Sequence, residues 1–129
     1  MVYFAYLKAA EKNAIDPVII EISKLSSIAD YFLIVSAESD RQAKAIADEI
    51  ASGFKKEKKI MALSIEGLEG LNWVLLDYGQ VIVHIFLPHI REYYNLEKLW
   101  ADAPRLDIKS LSKELVVRKD MSIRNVSTP

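Results

Sequence analysis

The fold of this chain is decided by the stretch WVLLDYGQVIVHIF at residues 73–86. Two runs of mostly apolar residues, 73–77 and 81–86, flank the short connection 78–80. Gly79 lies in this connection, where a glycine can take the positive φ that a tight turn needs. The stretch therefore predicts a β-hairpin of two antiparallel strands.

Three further strands are predicted upstream of the hairpin. Residues 18–22 form a short β-branched run, and residues 31–36 are apolar at almost every position. Such continuous apolar character is expected when both faces of a sheet are covered by helices. A third run, 62–66, is closed by Gly67. Together with the hairpin, these runs predict a mixed sheet of about five strands.

The clearest helix spans residues 40–54. Its apolar residues recur at helical spacing, at Ala43, Ile46, Ala47, Ile50, Ala51 and Phe54. Ser39 followed by Gln42 is the pattern of a capping box, in which each side chain satisfies a backbone N–H at the start of the helix. The sequence therefore predicts both the helix and its first residue.

Two more helices are expected, at residues 3–13 and 90–100. In the first, Tyr3, Leu7 and Ala10 would share the inner face, with Lys8 and Glu11 turned outward. Helices and strands that alternate in this way predict the α/β class, a mixed sheet covered by helices.

Charge divides the chain into two parts. The 129 residues include 17 Lys or Arg, 18 Asp or Glu and no Cys, which leaves no disulfide, thiolate metal site or cysteine nucleophile. Residues 1–104 hold eleven basic and fifteen acidic side chains, whereas 105–129 hold six and three. We expect an acidic globular domain at 1–104 and a basic, partly disordered extension at 105–129.

The apolar runs are too short to cross a membrane. Runs such as 31–35 fall far below the roughly 20 residues that a transmembrane helix needs. The first fourteen residues lack the basic-then-apolar order of a secretory signal. We therefore expect a cytoplasmic protein without membrane contact.

No catalytic, metal or cofactor site is predicted. His84 and His89 are five positions apart without the spacing of a zinc site, and no Gly-x-Ser-x-Gly or Asp-x-Asp occurs. The loop before the helix at 40–54 contains Glu38 and no glycine, so we interpret Ser39 as a helix cap rather than a phosphate ligand.

Several residues suit contact with another macromolecule. Alternation along 73–77 places Trp73, Leu75 and Asp77 on one face of the strand, with Tyr78 beside them at the turn. Trp and Tyr dominate interface hot spots, although these side chains also pack cores. The pattern leaves both interpretations open, and His84 has the alternative of a buried, satisfied imidazole.

The chain resembles a known family over residues 3–104. The shared stretches are Asp30-Tyr31-Phe32, Ser39-Asp40-Arg41-Gln42, Ile46-Ala47-Asp48, Glu66-Gly67, Trp73-Val74-Leu75-Leu76-Asp77-Tyr78-Gly79, Val83-His84 and Arg91-Glu92-Tyr93-Tyr94-Asn95-Leu96-Glu97-Lys98-Leu99-Trp100. They are similar to the ribosomal silencing factor family, RsfS or Iojap. The resemblance implies a nucleotidyltransferase-like architecture and a translation regulator that is not an enzyme.

The same resemblance implies a partner and the residues that would meet it. The partner would be the large ribosomal subunit, through its protein number fourteen in the universal series, and binding would block joining of the small subunit. The partner-binding residues carried over by position are Trp73, Asp77, Tyr78, His84 and Glu92. The chain departs from the family pattern at Ala37-Glu38 and at Gln80.

Two alternatives of other classes stay open. One is a nucleotidyltransferase-like enzyme that binds a nucleotide at the loop 36–40. The other is a homodimerising interaction module that uses the face with Trp73, since exposed apolar faces also drive self-association. For the basic extension we expect either solvation or contact with ribosomal RNA.

Overall fold

A computed structural model describes residues 1–109. The helices and strands are α1 (Val2–Glu11), β1 (Ile15–Ile20), β2 (Tyr31–Ser36), α2 (Asp40–Gly53), β3 (Ser64–Glu66), β4 (Trp73–Asp77), β5 (Val81–Phe86), α3 (Pro88–Tyr94), α4 (Leu96–Leu99) and β6 (Arg105–Leu106). A 3₁₀ turn covers Ile22–Lys24, and a π-helix, Phe54–Lys58, follows α2 directly.

The predicted mixed α/β sheet is confirmed. The strands lie in the order β3-β4-β5-β2-β1-β6. Within residues 1–109, β2 and β5 pair in parallel and the other neighbouring strands are antiparallel. The hairpin has the predicted strands, and Gly79 has a φ of 81° in its turn. The turn thus uses the conformational freedom for which a glycine is required.

Helices α1 and α2 cover one face of the sheet. Ala43, Ile46, Ala47 and Ile50 of α2 are buried as predicted, whereas Ala51 is half-buried and Phe54 is buried just beyond the end of the helix. The buried residues pack on a core that includes Leu33, Val35, Val74, Leu76, Val83 and Ile85. This side of the molecule is closed to solvent. Burying each such side chain contributes about 1.5 to 3 kcal/mol before the cost of ordering it.

The predicted cap of α2 forms with one difference. The Ser39 hydroxyl accepts the N–H of Gln42 at 3.2 Å. The Gln42 carboxamide, however, accepts the N–H of Glu38 rather than that of Ser39. Its amide nitrogen also donates to the carbonyls of Lys12 and Asn13, at 3.1 and 2.9 Å. Gln42 therefore ties the end of α1 to the start of α2.

The predicted inner face of α1 is wrong. Val2, Ala5 and Ala9 are buried, whereas Leu7 is 39% exposed and Ala10 is exposed. The small alanines let α1 approach α2 closely, so the larger side chains turn to the rim. Lys8 also lies inward, with its alkyl chain about 3 Å from the place a Cβ would take at Gly53.

The predicted helix at 90–100 is two helices. Asn95 interrupts it with a φ of 45°, a left-handed conformation that asparagine tolerates better than most residues. Its side-chain oxygen then caps α4 by accepting the N–H of Lys98. Pro88 is the first residue of α3, a position that needs no N–H donor.

The sheet has six strands where about five were expected. The sixth, β6, begins at Arg105 and pairs with Ile19 and Ile20 of β1. It lies immediately after the predicted domain end at residue 104. Two other strands differ in their bounds, since β1 begins at Ile15 and β3 only at Ser64. A two-residue strand has no period of its own, so only its pairing reveals it.

The predictions for the rest of the extension, including partial disorder, concern residues 110–129, which lie outside the described part. Within residues 1–109, no helix is both long and apolar enough to cross a bilayer.

Candidate partner-binding face

The second face of the sheet is only partly covered. Helices α3 and α4 pack here through Ile90 and Leu96, together with Trp100 directly after α4, but neither helix contains a fully buried residue. On β4, Trp73, Leu75 and Asp77 point to this side and are half-buried, while Val74 and Leu76 are buried on the other. We call the side that carries these three residues the half-covered face.

Trp73 is held in place by three side chains of this face. Its indole N–H donates to Nδ1 of His84 at 3.1 Å, across the β4–β5 pair. The ring centroid lies 4.8 Å from that of Phe86 and 4.7 Å from that of Tyr94. Pairing of Trp73 with Phe86 and of Leu75 with His84 sets these distances. The indole is therefore fixed before any partner arrives.

His84 lies beneath Trp73 rather than at the surface. It is 4% exposed, and its ring meets the Phe32 ring edge-on at 4.6 Å. Burial lowers the pKa of His84 to about 4, so the imidazole is neutral at pH 7. Because Nδ1 accepts a hydrogen bond, the proton is assigned to Nε2, which has no partner among the described residues. The expected buried, hydrogen-bonded imidazole is therefore found in part: among the described residues Nδ1 has a hydrogen-bond partner and Nε2 has none.

Asp77 closes the hairpin and ends the half-covered face. Its Oδ1 accepts the N–H of Gly79 at 2.8 Å, the pattern of an Asx turn. The carboxylate remains half-exposed. Asp77 therefore holds the turn and places a negative charge on the same face of β4 as Leu75 and Trp73, at the other end of the strand from Trp73.

The structure does not bring Tyr78 to this face. The tyrosine is 7% exposed and packs against Phe54, with 4.3 Å between ring centroids. Alternation along the strand explains this, since a residue directly after Asp77 points to the opposite side. Burial raises the pKa of the Tyr78 hydroxyl, which has no hydrogen-bond partner among residues 1–109. Tyr78 is part of the core under α2.

Glu92 lies apart from Trp73, on the exposed side of α3. It lines a polar cleft together with Ser36, Arg91 and Glu97. Arg91 donates to the Ser36 hydroxyl at 2.9 Å and to Glu97 at 3.0 Å. This pair of bonds anchors α3 and α4 to the end of β2, so the cleft has a structural role.

Two aromatic residues of the face, Tyr93 and Tyr94, were not predicted as site residues from the sequence. Tyr94 packs on Trp73 while half of its side chain is exposed, and Tyr93 is 80% exposed with its ring 5.1 Å from that of Tyr94. Two adjacent tyrosines in a helix point about 100° apart, so both cannot enter one core. Two adjacent tyrosines followed by Asn95, which interrupts the helix, could therefore have indicated that at least one of the rings is exposed.

The loop before α2 does not form an open anion site. The Ser39 hydroxyl and the Glu38 N–H are engaged by Gln42, as described above. Ser36 is buried and bonded to Arg91. These contacts support the interpretation of Ser39 as a helix cap. Among the described residues, no group of three or more metal-ligating side chains occurs.

Comparisons with known proteins identify the family of this chain. Residues 3–127 match the family model "Ribosomal silencing factor during starvation", RsfS, and so extend beyond the predicted range of 3–104. The chain is 45% identical to the ribosomal silencing factor RsfS of Bacillus subtilis (strain 168) over 98 residues, 76% of this chain and 82% of the relative.

More distant relatives include an organellar protein and a solved structure. The chain is 34% identical to mouse "Mitochondrial assembly of ribosomal large subunit protein 1" over 70% of this chain and 40% of that protein. A crystal structure of a Chromobacterium violaceum protein is similar with a TM-score of 0.75 and 33% identity, over 78% of this chain and 82% of that chain. Since the family model matches nearly the whole sequence, the chain belongs to the RsfS family of ribosomal silencing factors.

Proposed function

We propose that this protein silences ribosomes by binding the large subunit, through ribosomal protein fourteen of the universal series, and blocking access of the small subunit. The names of its relatives support the ribosome as partner, and the mouse relative is named for the large subunit. The observation that carries the proposal is the half-covered face with its fixed indole. The proposal includes a cytoplasmic location, where bacterial ribosomes lie.

Trp73 is the anchor of the proposed interface. Its ring is held by His84, Phe86 and Tyr94, so little side-chain freedom is lost on binding. Fully burying a large apolar side chain is worth about 1.5 to 3 kcal/mol, a factor of about ten to a hundred in affinity. Tyr93 and Leu99, 80% and 73% exposed, add apolar surface on the neighbouring helices.

Charge complements this anchor. Asp77 and Glu92 are carboxylates on the side of the sheet that β4 and α3 expose. A basic ribosomal protein would meet them favourably, which accelerates association and selects the partner more than it adds affinity. His84 acts in this proposal by positioning Trp73. Tyr78 supports the strand from the core.

The proposed mechanism is steric and needs no reaction. A domain of 109 or more residues on the subunit face of the large particle would occupy space that the small subunit needs. The family is described as a silencing factor, and we propose no enzymatic activity for this member.

Sucrose-gradient sedimentation of remixed ribosomal subunits tests the proposal. We expect the wild-type protein to migrate with the large subunit and to lower the joined-ribosome peak. The double variant Trp73→Ala with Asp77→Asn should do neither, because it loses the anchor and the charge while an amide oxygen can still accept from Gly79. Leu7→Ala is the matched control, since Leu7 is an exposed apolar residue of α1, which covers the opposite face of the sheet.

Two results would contradict the proposal. One is wild-type protein that stays at the top of the gradient, and the other is binding without any loss of joined ribosomes. Self-association is the competing use of the same face. Analytical ultracentrifugation separates the two: a dimer abolished by Trp73→Ala, with ribosome binding unchanged, would assign the face to a second copy.

A further inference from the structure

A run of lysines follows α2 and is not used by the proposed interface. Lys55, Lys56, Lys58 and Lys59 are all exposed, within and directly after the π-helix Phe54–Lys58; we call these four the lysine run. They lie on the side of the sheet that α1 and α2 cover, because Phe54 at the start of the run is buried in that core. The half-covered face is on the opposite side.

These four lysines have no carboxylate partner within the described residues. Among residues 1–109, none of them is within ion-pair distance of an acidic side chain. Glu57, the one carboxylate between them, is bound by Lys8 of α1 at 2.6 Å. Burial, and after it the charge of Lys58, lower the pKa of the Met1 α-amino group, which lies beside the run. The local potential is therefore positive.

The rest of the domain has the opposite charge. Four of the eleven basic and one of the fifteen acidic residues in 1–104 fall at positions 55–59, which leaves seven basic and fourteen acidic. Residues 1–104 are thus strongly acidic apart from the lysine run. Such a separation of charge orients a protein in the field of a highly charged partner.

The backbone holds the run in a defined place. The Ile60 N–H donates to the Phe54 carbonyl at 3.0 Å and closes the turn, and Lys59 takes a left-handed φ of 58°. The Lys58 ammonium lies 5.1 Å from the centre of the Phe4 ring. These contacts fix the base of the run, while the ammonium groups of Lys55, Lys56 and Lys59 have no ion-pair partner in the part of the chain that the structure describes and so can meet a ligand.

We infer that the lysine run is a second binding site, which contacts the phosphate backbone of RNA. Several unopposed ammonium groups on one short turn match a row of phosphates, and release of counterions from the RNA favours their contact. A basic protein surface would repel them. This inference rests on the proposed function, in which the RNA is ribosomal RNA that flanks the docking site on the large subunit.

The salt dependence of binding tests the inference. We would compare the triple variant Lys55→Gln/Lys56→Gln/Lys59→Gln with the control Lys12→Gln/Lys24→Gln/Lys44→Gln, which changes the net charge equally at lysines that have carboxylate partners. Lys58 is retained because it packs on Phe4. Binding to purified large subunits is measured from about 50 to 200 mM KCl at constant magnesium.

The expected result is a change in slope. The plot of log affinity against log salt should become shallower by about one for each lysine that meets a phosphate, with weaker binding at low salt. The control should keep the wild-type slope. Equal slopes for both variants would overturn the inference while leaving the proposed function intact, whereas wild-type protein that does not bind large subunits would overturn both.

Crosslinking identifies the class of partner. Because the chain contains no Cys, Lys56→Cys creates a single thiol for a short photoreactive label. After irradiation on the large subunit, we expect the label on ribosomal RNA. Transfer to a ribosomal protein instead would show that the run contacts an acidic protein surface and would overturn the assignment to RNA.

Discussion

At the scale of single residues, one hydrogen bond, from Trp73 to His84, links the half-covered face to the core. The imidazole is 4% exposed, yet its Nδ1 determines where an exposed part of the indole lies. Sequence patterns indicated both residues but neither their bond nor its direction. The bond depends on the register of β4 against β5, which pairs Leu75 with His84.

Substitution of His84 should separate positioning from direct contact. An Asn side-chain oxygen lies close to the place of Nδ1, so His84→Asn keeps the acceptor, while His84→Leu removes it. One such hydrogen bond is worth about 0.5 to 1.5 kcal/mol, so we expect His84→Leu to weaken binding to the large subunit about two- to tenfold. Trp73 fluorescence in a Trp100→Phe background reports the indole environment. The emission of Trp73 should change in His84→Leu and return to that of the unsubstituted protein in His84→Asn. Equal affinity of the wild type and the two variants for the large subunit would exclude a positioning role for His84.

The lowered pKa of His84 predicts a dependence of stability on pH. The folded state holds the imidazole with a pKa of about 4, below the ordinary 6.5 of the unfolded chain, so protonation favours unfolding. The stabilisation is complete above pH 6.5 and is lost as the pH falls towards 4, by on the order of 3 kcal/mol. Urea unfolding at pH 7 and pH 4.5 measures it. His84→Asn should lose less stability over this interval, and a parallel loss in both proteins would contradict the assignment.

Among the secondary-structure elements, the loop between β3 and β4 determines where β4 begins, because Gly67 packs against the backbone of Trp73. Gly67 has a φ of 88°, and a Cβ there would lie 2.0 Å from the carbonyl oxygen of Trp73. The clash is with backbone, which cannot move without displacing the first residue of the half-covered face. Gly67 was read from the sequence only as the end of a strand.

Gly67→Ala should therefore destabilise the protein and disturb its binding. We expect a loss of more than about 1 kcal/mol in the free energy of unfolding, because positive φ strain adds to the clash. Gly70→Ala is the matched control, since nothing lies within 4 Å of a Cβ there; its effect should stay within about 0.5 kcal/mol. Urea denaturation measures the unfolding free energy of both variants. Similar losses of stability in Gly67→Ala and Gly70→Ala would contradict the special role of Gly67.

For the molecule as a whole, contacts between distant segments determine where the folded domain ends on its C-terminal side. Arg105 and Leu106 pair with β1, and Leu106 and Ile108 pack against the larger core. The carbonyl of Pro104 accepts the N–H of Glu21 at 2.8 Å. We therefore propose that the domain includes these residues and ends beyond the position 104 that charge and composition indicate.

Truncation tests this boundary. A chain that ends at residue 104 loses β6 and exposes the β1 edge, so its unfolding free energy should fall by about 1.5 to 3 kcal/mol, the value of one buried Leu or Ile. A chain that ends at residue 109 keeps these contacts and is the control. If the two chains unfold at the same urea concentration, residues 105–109 add nothing to the domain.

Local patterns were sufficient for some elements. The bounds of β2, β4 and β5 and the first residue of α2 agree with the prediction, because each depends on neighbours within a few positions. Gly79 and Ser39 act as expected for the same reason. The face of α1 was mispredicted, since several faces of that helix carry apolar side chains and only contact with α2 selects one.

Residue order and spacing are enough to specify the hairpin, the capped helix α2, the mixed α/β class and the family. The tertiary structure alone decided that the second face is only partly covered, that Tyr78 enters the core, that His84 holds Trp73 and that β6 completes the sheet. The physical reason is that these features arise from contacts between segments far apart in the chain. Their geometry depends on strand register and helix packing, and no local pattern contains either.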